Sequence, residues 1–267
     1  MPQLFEESLK RVRRAQTHAL GIMDTLIRRV GNREAYYVVL EDRGNGDFSF
    51  RMRHHFPTEE IDTLSLQIGE FFYQLRAALD GAMWEAHILL GGTEFATYAN
   101  KLDFPIHAEI KHFKKAALHK VNLPQELKIW LSAIQPCHAL QSSAIEVAAF
   151  ANALLVIHNC ARKDRHRRLH LMAMLVTDST AVVTATPPAR LTYVQSVPAN
   201  ILQNDSEIVR FGVEGGDASN VQAEGSFMIE ISVKEVPTEQ GVHIGMVLKL
   251  YTDIVILVIA EFQKAFS

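Results

Sequence analysis

Twelve consecutive residues, Asn159-Cys-Ala-Arg-Lys-Asp-Arg-His-Arg-Arg-Leu-His170, carry five cations, one acid and two imidazoles. They end a segment, starting near Ala139, that is apolar on most sides, so charge this dense is either a solvated helix end or a site. At 3.6 residues per turn the cluster cannot act as one unit. Asn159, Lys163, His166 and His170 fall near one face, His158, Arg162, Arg165 and Leu169 near a second, and Asp164, Arg167 and Arg168 near a third. His166 has the strongest chemical claim, because an acid at 164 can set its tautomer and raise its basicity while Arg167 holds an anion. A lone His158 or His170 is more often a satisfied structural histidine than a catalyst.

Arg76 and Asp80 are the second group. Four residues apart, they project from one helix face, about one position round from the Leu75/Leu79 stripe, and Trp84 and His87 extend the line. If exposed, such a pair contributes only about 0.3–0.5 kcal/mol. If buried, it demands partners, and Asp164 for Arg76 and Arg167 for Asp80 would supply them from a neighbouring helix. A metal site would draw on His18, Asp80, His87, Asp164 or His166. The paired Glu-x-x-His motifs expected of a di-iron bundle and His-Glu-x-x-His are absent, and the nearby cations disfavour another, so no metal is expected. Phosphate-cradling Gly-x-x-x-x-Gly-Lys-Ser/Thr, dinucleotide Gly-x-Gly-x-x-Gly and the Gly-x-Ser-x-Gly elbow are absent too, and no cofactor is expected.

The elements that must position these residues come from a chain of 267 residues, 48% hydrophobic and 21% charged, an ordinary composition for one large domain or two small ones. With 27 basic against 30 acidic residues the net charge is −3, so any anion site is a local patch, and the 162–168 cluster is the strong candidate. Cys137 and Cys160 lie in apolar contexts without a CxxC partner, which predicts reduced thiols. The start lacks the basic and apolar regions of a signal peptide, and the run Ile254 to Ala260 is too short to cross a bilayer. The expectation is a soluble cytoplasmic protein with no membrane partner.

Spacings of three and four among Leu4, Leu9, Val12, Leu20, Met23, Ile27 and Val30 predict a first helix ended by Gly31-Asn32. Glu34 to Asp42 and Asp47 to Arg53, around Arg43-Gly-Asn-Gly46, predict a hairpin. Pro57-Thr-Glu-Glu60 opens a second helix running to about Leu90, with Ile61, Leu64, Ile68, Phe71, Leu75, Leu79 and Ala82 inward. Phe104-Pro-Ile106 reads as extended, Glu109 to Leu118 as a short helix, and a further short helix runs from Pro124 to Pro136. A central helix is expected from about Ser142 to Arg168. From Leu169 the period becomes two, predicting short strands at Leu171–Val176, Ala181–Ala185, Leu191–Val194, Glu207–Val213, Gly225–Lys234 and Val242–Lys249, and then a helix over Asp253–Phe266. The fold class is therefore α+β: a helical bundle (1–170) with a β-hairpin after the first helix (about 34–53), an antiparallel β-rich segment (171–249), and a C-terminal helix (250–267) packing back on the bundle in what can be one integrated domain.

Several of these pieces resemble a family of uncharacterised bacterial, largely actinobacterial, proteins. The matching residues are Arg14-Ala15 with His18, Tyr73-Gln-Leu-Arg-Ala-Ala-Leu-Asp-Gly81, Phe104-Pro-Ile106, Gln135-Pro-Cys137 and Arg162-Lys-Asp-Arg-His-Arg167. The resemblance implies that Arg76, Asp80, Asp164, His166 and Arg167 belong to one site. It transfers no reaction. Tyr73 stands for the family's His, Gln74 for Asn, Gly81 for His and Arg162 for Asn, which would weaken chemistry that needs those groups. Arg165 to His170, with four residues between them and Asn159 upstream, also resembles the signature of HEPN-type helical proteins, many of them ribonucleases. That resemblance implies a homodimer and a metal-independent cleavage in which Arg stabilises developing phosphate charge and His moves the proton.

Two readings follow. In the first, His166, His170 and Asp164 are catalytic, Arg165, Arg167 and Arg76 bind the anion, Asp80 and Asn159 support them, and the partner is RNA or another phosphate-bearing ligand. In the second, the protein binds without catalysis and the Arg/Asp/His group is a buried structural network.

Overall fold

The computed structural model describes residues 4–31, 36–54, 58–140, 143–164, 171–175, 180–196, 201–202, 205–215, 221–226, 229–233, 236 and 244–267. The chain divides into two compact units, one of Met1–Ile22, Ser65–Leu169 and Gly245–Ser267, the other of Met23–Leu64 and His170–Ile244. The class is α+β with a hairpin directly after the first helix, as the change of hydrophobic period predicts.

The first unit is helical; residues 23–31 of its first helix and 58–64 of its second count with the other unit. Helix α1 (Glu6–Gly31) opens with Glu6 and Glu7, acids that favour the positive end of the helix dipole. Helix α2 (Thr58–Leu89) is the spine, and its fully buried Phe71, Phe72, Leu75, Ala78, Leu79, Ala82 and Met83 give it apolar contact on more than one side. Its end is set by Gly91 at φ +77°, where the N–H groups of Gly91 and Gly92 bond the Ile88 and His87 carbonyls. The short helices α3 (Ile110–Phe113), α4 (Gln125–Ala133) and α5 (Pro136–Ala139) lead into α6 (Ile145–Asp164). Helix α6 buries Ala151, Leu154, Ile157, Cys160 and Ala161.

Helix α7 (Ile244–Phe266) begins earlier than its period predicts. Residues 244–249, read above as part of a strand, are its first turns. Ile244, Val247, Leu248, Tyr251, Val255, Val258, Ile259 and Phe262 are buried at helical spacing, a stripe that wins over the short apparent alternation of Ile244, Met246, Leu248 and Leu250. Burial pushes the Tyr251 hydroxyl up to about 12, with Cys160 adding to the rise. Both cysteines are free and buried.

In the second unit, β1 (Tyr36–Gly44) and β2 (Asp47–His54) form the expected hairpin, with Asn45 at φ +55° and Gly46 at φ +77°. Two central residues with positive φ define the turn whose twist suits a hairpin. Gly46 has a second reason to lack a side chain, since a Cβ there would lie 2.1 Å from the Val213 carbonyl oxygen. Strands β3 (Leu171–Leu175), β4 (Thr180–Ala185), β5 (Arg190–Ser196), β6 (Ile201–Leu202), β7 (Ser206–Glu214), β8 (Val221–Ser226) and β9 (Ile229–Val233) complete the described strands. They pair antiparallel in the orders β1-β2-β7-β5, β6-β3-β9 and β4-β8. Thus β7 closes on the hairpin from far along the chain.

Alternation splits that four-stranded sheet into two faces. Phe48, Phe50, Met52, Val209, Phe211 and Val213 form a buried core, with Val183, Ala185 and Val221 packed against it. The other face carries ion pairs: Arg43 with Glu207 at 2.7 Å, Arg51 with Glu41 at 2.5 Å and Asp205 at 3.0 Å, and Arg210 with Asp47. Arg210 grips the Asp47 carboxylate through Nε at 3.1 Å and Nη2, and the Tyr193 hydroxyl donates to it as well. These bonds hold the Asp47 carboxyl down at about 2, against an ordinary 3.8. Ionised Asp47 therefore stabilises the fold above about pH 4, and that contribution is lost as pH falls toward 2. Asp47→Asn is expected to flatten the acid limb of a stability-against-pH curve in this window, and an acid limb identical to that of the parent would remove Asp47 from its cause.

Candidate functional site

Of the residues singled out in the charged cluster, Arg165, His166, Arg167 and His170 lie outside the described residues, as does the Asp164 side chain. Asp164 is the last residue of α6, and Asn159, five positions earlier, is half-buried. Arg76 and Asp80 are described in full, and their surroundings show what they do.

Arg76 is buried, with 4% of its surface exposed, in the middle of an apolar helix. A guanidinium in such a place needs acceptors for its donors. Its Nη2 lies 2.9 Å from Asp80 Oδ1 and 3.4 Å from Asp103 Oδ2, and its Nη1 donates to the Phe104 carbonyl at 2.9 Å. Asp80 in turn accepts the Phe104 N–H at 2.9 Å. The intrahelical pair is therefore a clamp on residue 104 as well. Asp103 carries no sequence signal beyond its charge, and it supplies a carboxylate to Arg76 that helical spacing alone does not point to.

The segment after Phe104 is held equally firmly from the other side. Gln135, wholly buried, donates from Nε2 to the Pro105 carbonyl at 2.9 Å and accepts the His107 N–H on Oε1 at 3.3 Å. The Cys137 N–H bonds the His107 carbonyl at 2.9 Å. An extended segment that pairs with no strand among the described residues must satisfy its backbone groups elsewhere, and here α2 takes one end and the α4–α5 corner the other. Three of the motif pieces named above, Leu75 to Asp80, Phe104 to Ile106 and Gln135 to Cys137, thus meet in one stitch.

Three nearby imidazoles, His87, His119 and His138, are engaged by the fold. His87 is buried between Trp84 and Tyr98 with Nε2 3.2 Å from the Thr93 carbonyl, so it belongs to the α2 terminus. His119 and His138 pack edge-on to Phe113 and bond the Phe113 and Ser132 carbonyls at 2.9 Å. Burial pushes the His107 imidazole below its usual value, with Asp103 opposing the shift. Among the described residues no group of three or more His, Cys, Asp or Glu is placed to hold a metal ion.

Over the outer side of this clamp lies an open cavity of about 430 Å³ lined by Arg11, Tyr73, Arg76, Ala77, Asp80, Gly81, Trp84 and Leu102. Six of these residues form one helical stripe of α2 at spacings of three and four, so Tyr73 and Trp84 stand about 16 Å apart along the axis at 1.5 Å per residue. Ala77 and Gly81 keep the middle of the stripe low. Helix α1 crosses there, since a Cβ on Gly81 would sit 2.9 Å from Ser8 Oγ, and Arg11 follows one turn later. The crossing is pinned by Glu85, whose Oε1 accepts both the Ser8 N–H at 3.0 Å and the Ser8 hydroxyl at 2.5 Å. The Ser8 amide is one of the early α1 donors without an intrahelical acceptor, so Glu85 caps α1 from a different helix. Glu85→Ala is expected to cost about 1–2 kcal/mol and Glu85→Gln less, since it keeps an acceptor oxygen. Urea unfolding of the two variants checks this, and equal stability of both with the parent would refute the cap.

Arg11, Ser8, Glu85 and Asp103 were not legible as site residues. Arg11 is one of several basic residues on α1, and only the helix crossing brings it over α2. No helix among the described residues is long and apolar enough to cross a membrane. Comparison with known protein families, with curated proteins and with solved structures finds no match to any of them.

Proposed function

We propose that this chain is a cytoplasmic, non-catalytic binding protein, in which Arg76 and Asp80 build the floor of the binding site and do no chemistry themselves. The observation that carries this reading is the engagement of Arg76: a buried guanidinium whose Nη1 binds a backbone carbonyl and whose Nη2 faces two carboxylates has these Nη donors committed to the fold. A phosphate clamp needs donors that a ligand can reach. The cavity beside it supports binding, since it is within the roughly 300–1,000 Å³ of small-molecule sites. Reduced, buried Cys137 and Cys160 support a cytoplasmic setting.

The rival is the metal-independent ribonuclease of the HEPN resemblance. Incubating the purified full chain with RNA and with a chromogenic phosphodiester, with and without divalent metal, separates the two. No cleavage is expected. Cleavage by the parent that disappears in His166→Ala or His170→Ala would overturn the binding reading and establish the nuclease.

A further inference from the structure

The lining of the cavity is lopsided in what it still offers a ligand. Its acceptor, the Asp80 carboxylate, already receives Arg76 and the Phe104 N–H. Its donors are less engaged. Among the described residues no hydrogen bond or ion pair engages the Arg11 guanidinium, the Tyr73 hydroxyl or the Trp84 indole N–H. Glu7, one turn before Arg11, senses its charge while hydrogen-bonding Lys10 instead. Between Tyr73 and the point where Ser8 of α1 fills the space over Gly81 the floor is Ala77, so a flat group can lie close to α2 there, with Tyr73 at one end and Trp84 beyond the crossing. A cavity of about 430 Å³ has room for one small molecule.

From this we infer that the cavity binds a small organic anion, a carboxylate or a phosphate monoester carrying an aromatic or similarly flat part. Its anionic group meets Arg11, with the Tyr73 hydroxyl within the same stripe, and its flat part lies over Ala77, on the side of the cavity that Trp84 walls. A guanidinium forms its strongest hydrogen bonds with carboxylates and phosphates, and aromatic walls favour a flat partner. The inference deepens the binding reading above and rests on it in one respect: the cavity is taken as a binding site, not an active site.

Ligand-observed NMR on the full chain tests it, with benzoate, phenyl phosphate, inorganic phosphate, benzamide and benzylamine as probes. Benzoate or phenyl phosphate is expected to bind, and benzamide and benzylamine to bind about tenfold more weakly or worse, for want of a charge-assisted contact. Preference for phenyl phosphate assigns a phosphate monoester and preference for benzoate a carboxylate. Arg11→Gln, on an exposed position of α1, is expected to lower affinity about tenfold without moving the melting temperature, and Tyr73→Phe to lower it about threefold. No binding, equal binding of all five probes, inorganic phosphate binding as tightly as phenyl phosphate, or undiminished affinity in Arg11→Gln overturns the inference. Binding of a uridine oligonucleotide without binding of phenyl phosphate overturns it too, in favour of an RNA surface. None of these outcomes touches the structural role of Arg76, which stands or falls on the stability of its own variants, or the absence of cleavage, which is read separately.

Discussion

Arg76→Met is expected to lower stability by about 3 kcal/mol and the thermal midpoint by about 5–10 °C. The substitution keeps an unbranched chain of similar length in the helix but removes every donor. The Phe104 carbonyl then loses its Nη1 partner inside the protein, and Asp80 and Asp103 lose their shared counter-charge. Breaking a wholly buried pair costs about 3–5 kcal/mol because the remaining charge stays in a low dielectric. Here the Asp80 and Asp103 side chains are 36% and 55% exposed, so water takes up part of the loss and the lower end applies. Arg76→Lys should fall between the two, since a single ammonium keeps the charge and cannot span two carboxylates and a carbonyl. Urea and thermal unfolding measure both. Unchanged stability in Arg76→Met would show that the clamp does not hold the fold, and would return Arg76 to the list of ligand-binding groups.

Phe262→Ala should cost more, about 3–5 kcal/mol, as the loss of a buried aromatic side chain. Phe262 is fully buried in α7, with Phe5 5.7 Å away edge-on and Phe104 6.4 Å away. Its ring touches both the entry to α1 and the residue that the Arg76 clamp holds. The cavity left behind would therefore loosen Phe104 from the side opposite the clamp, and hydrogen exchange at the Phe104 amide should speed up along with the global loss. Phe262→Leu, which keeps most of the volume, should cost less than about 1.5 kcal/mol. If Phe262→Ala unfolds at the parent's denaturant midpoint, α7 does not close this core. The side-chain bond from Gln263 Nε2 to the Leu4 carbonyl at 2.9 Å and the edge-on contact of Phe266 with Phe5 would then tie it to the start of the chain.

How far the sequence reached differs by element. Helix α1 was legible as a helix but not in its inward face, since Leu20 and Ile27 of the expected stripe are exposed while Ala15, Ile22 and Leu26 are buried. Helix α2 was legible because its apolar stripe runs for many turns, and the hairpin because Asn45-Gly46 is a turn pair with a backbone reason behind it. The start of α7 was not. Eight residues from Val242 satisfy a period of two and a period of 3.6 almost equally, and only the stripe continuing to Phe262 resolves the choice. The pairing of β2 with β7 was likewise out of reach, since strand partners far apart in the chain leave no local mark.

The candidate site divides in the same way. Residue types and spacing alone identified Arg76 and Asp80 as a pair on one helix face, while only the family resemblance pointed to Phe104-Pro-Ile106 and Gln135-Pro-Cys137. What those pieces do was decided by tertiary structure. Whether an Arg–Asp pair is a solvated surface contact or a buried clamp depends on how much water reaches it, and that is set by the segment at 103–107 folding across α2. Arg11 belongs to the cavity for the same reason: a crossing at Ser8 and Gly81, which needs a residue with no side chain, carries it over α2. Local sequence determines which faces are apolar and which side chains can bond. Only the packing of distant segments determines which donors are left over for a ligand.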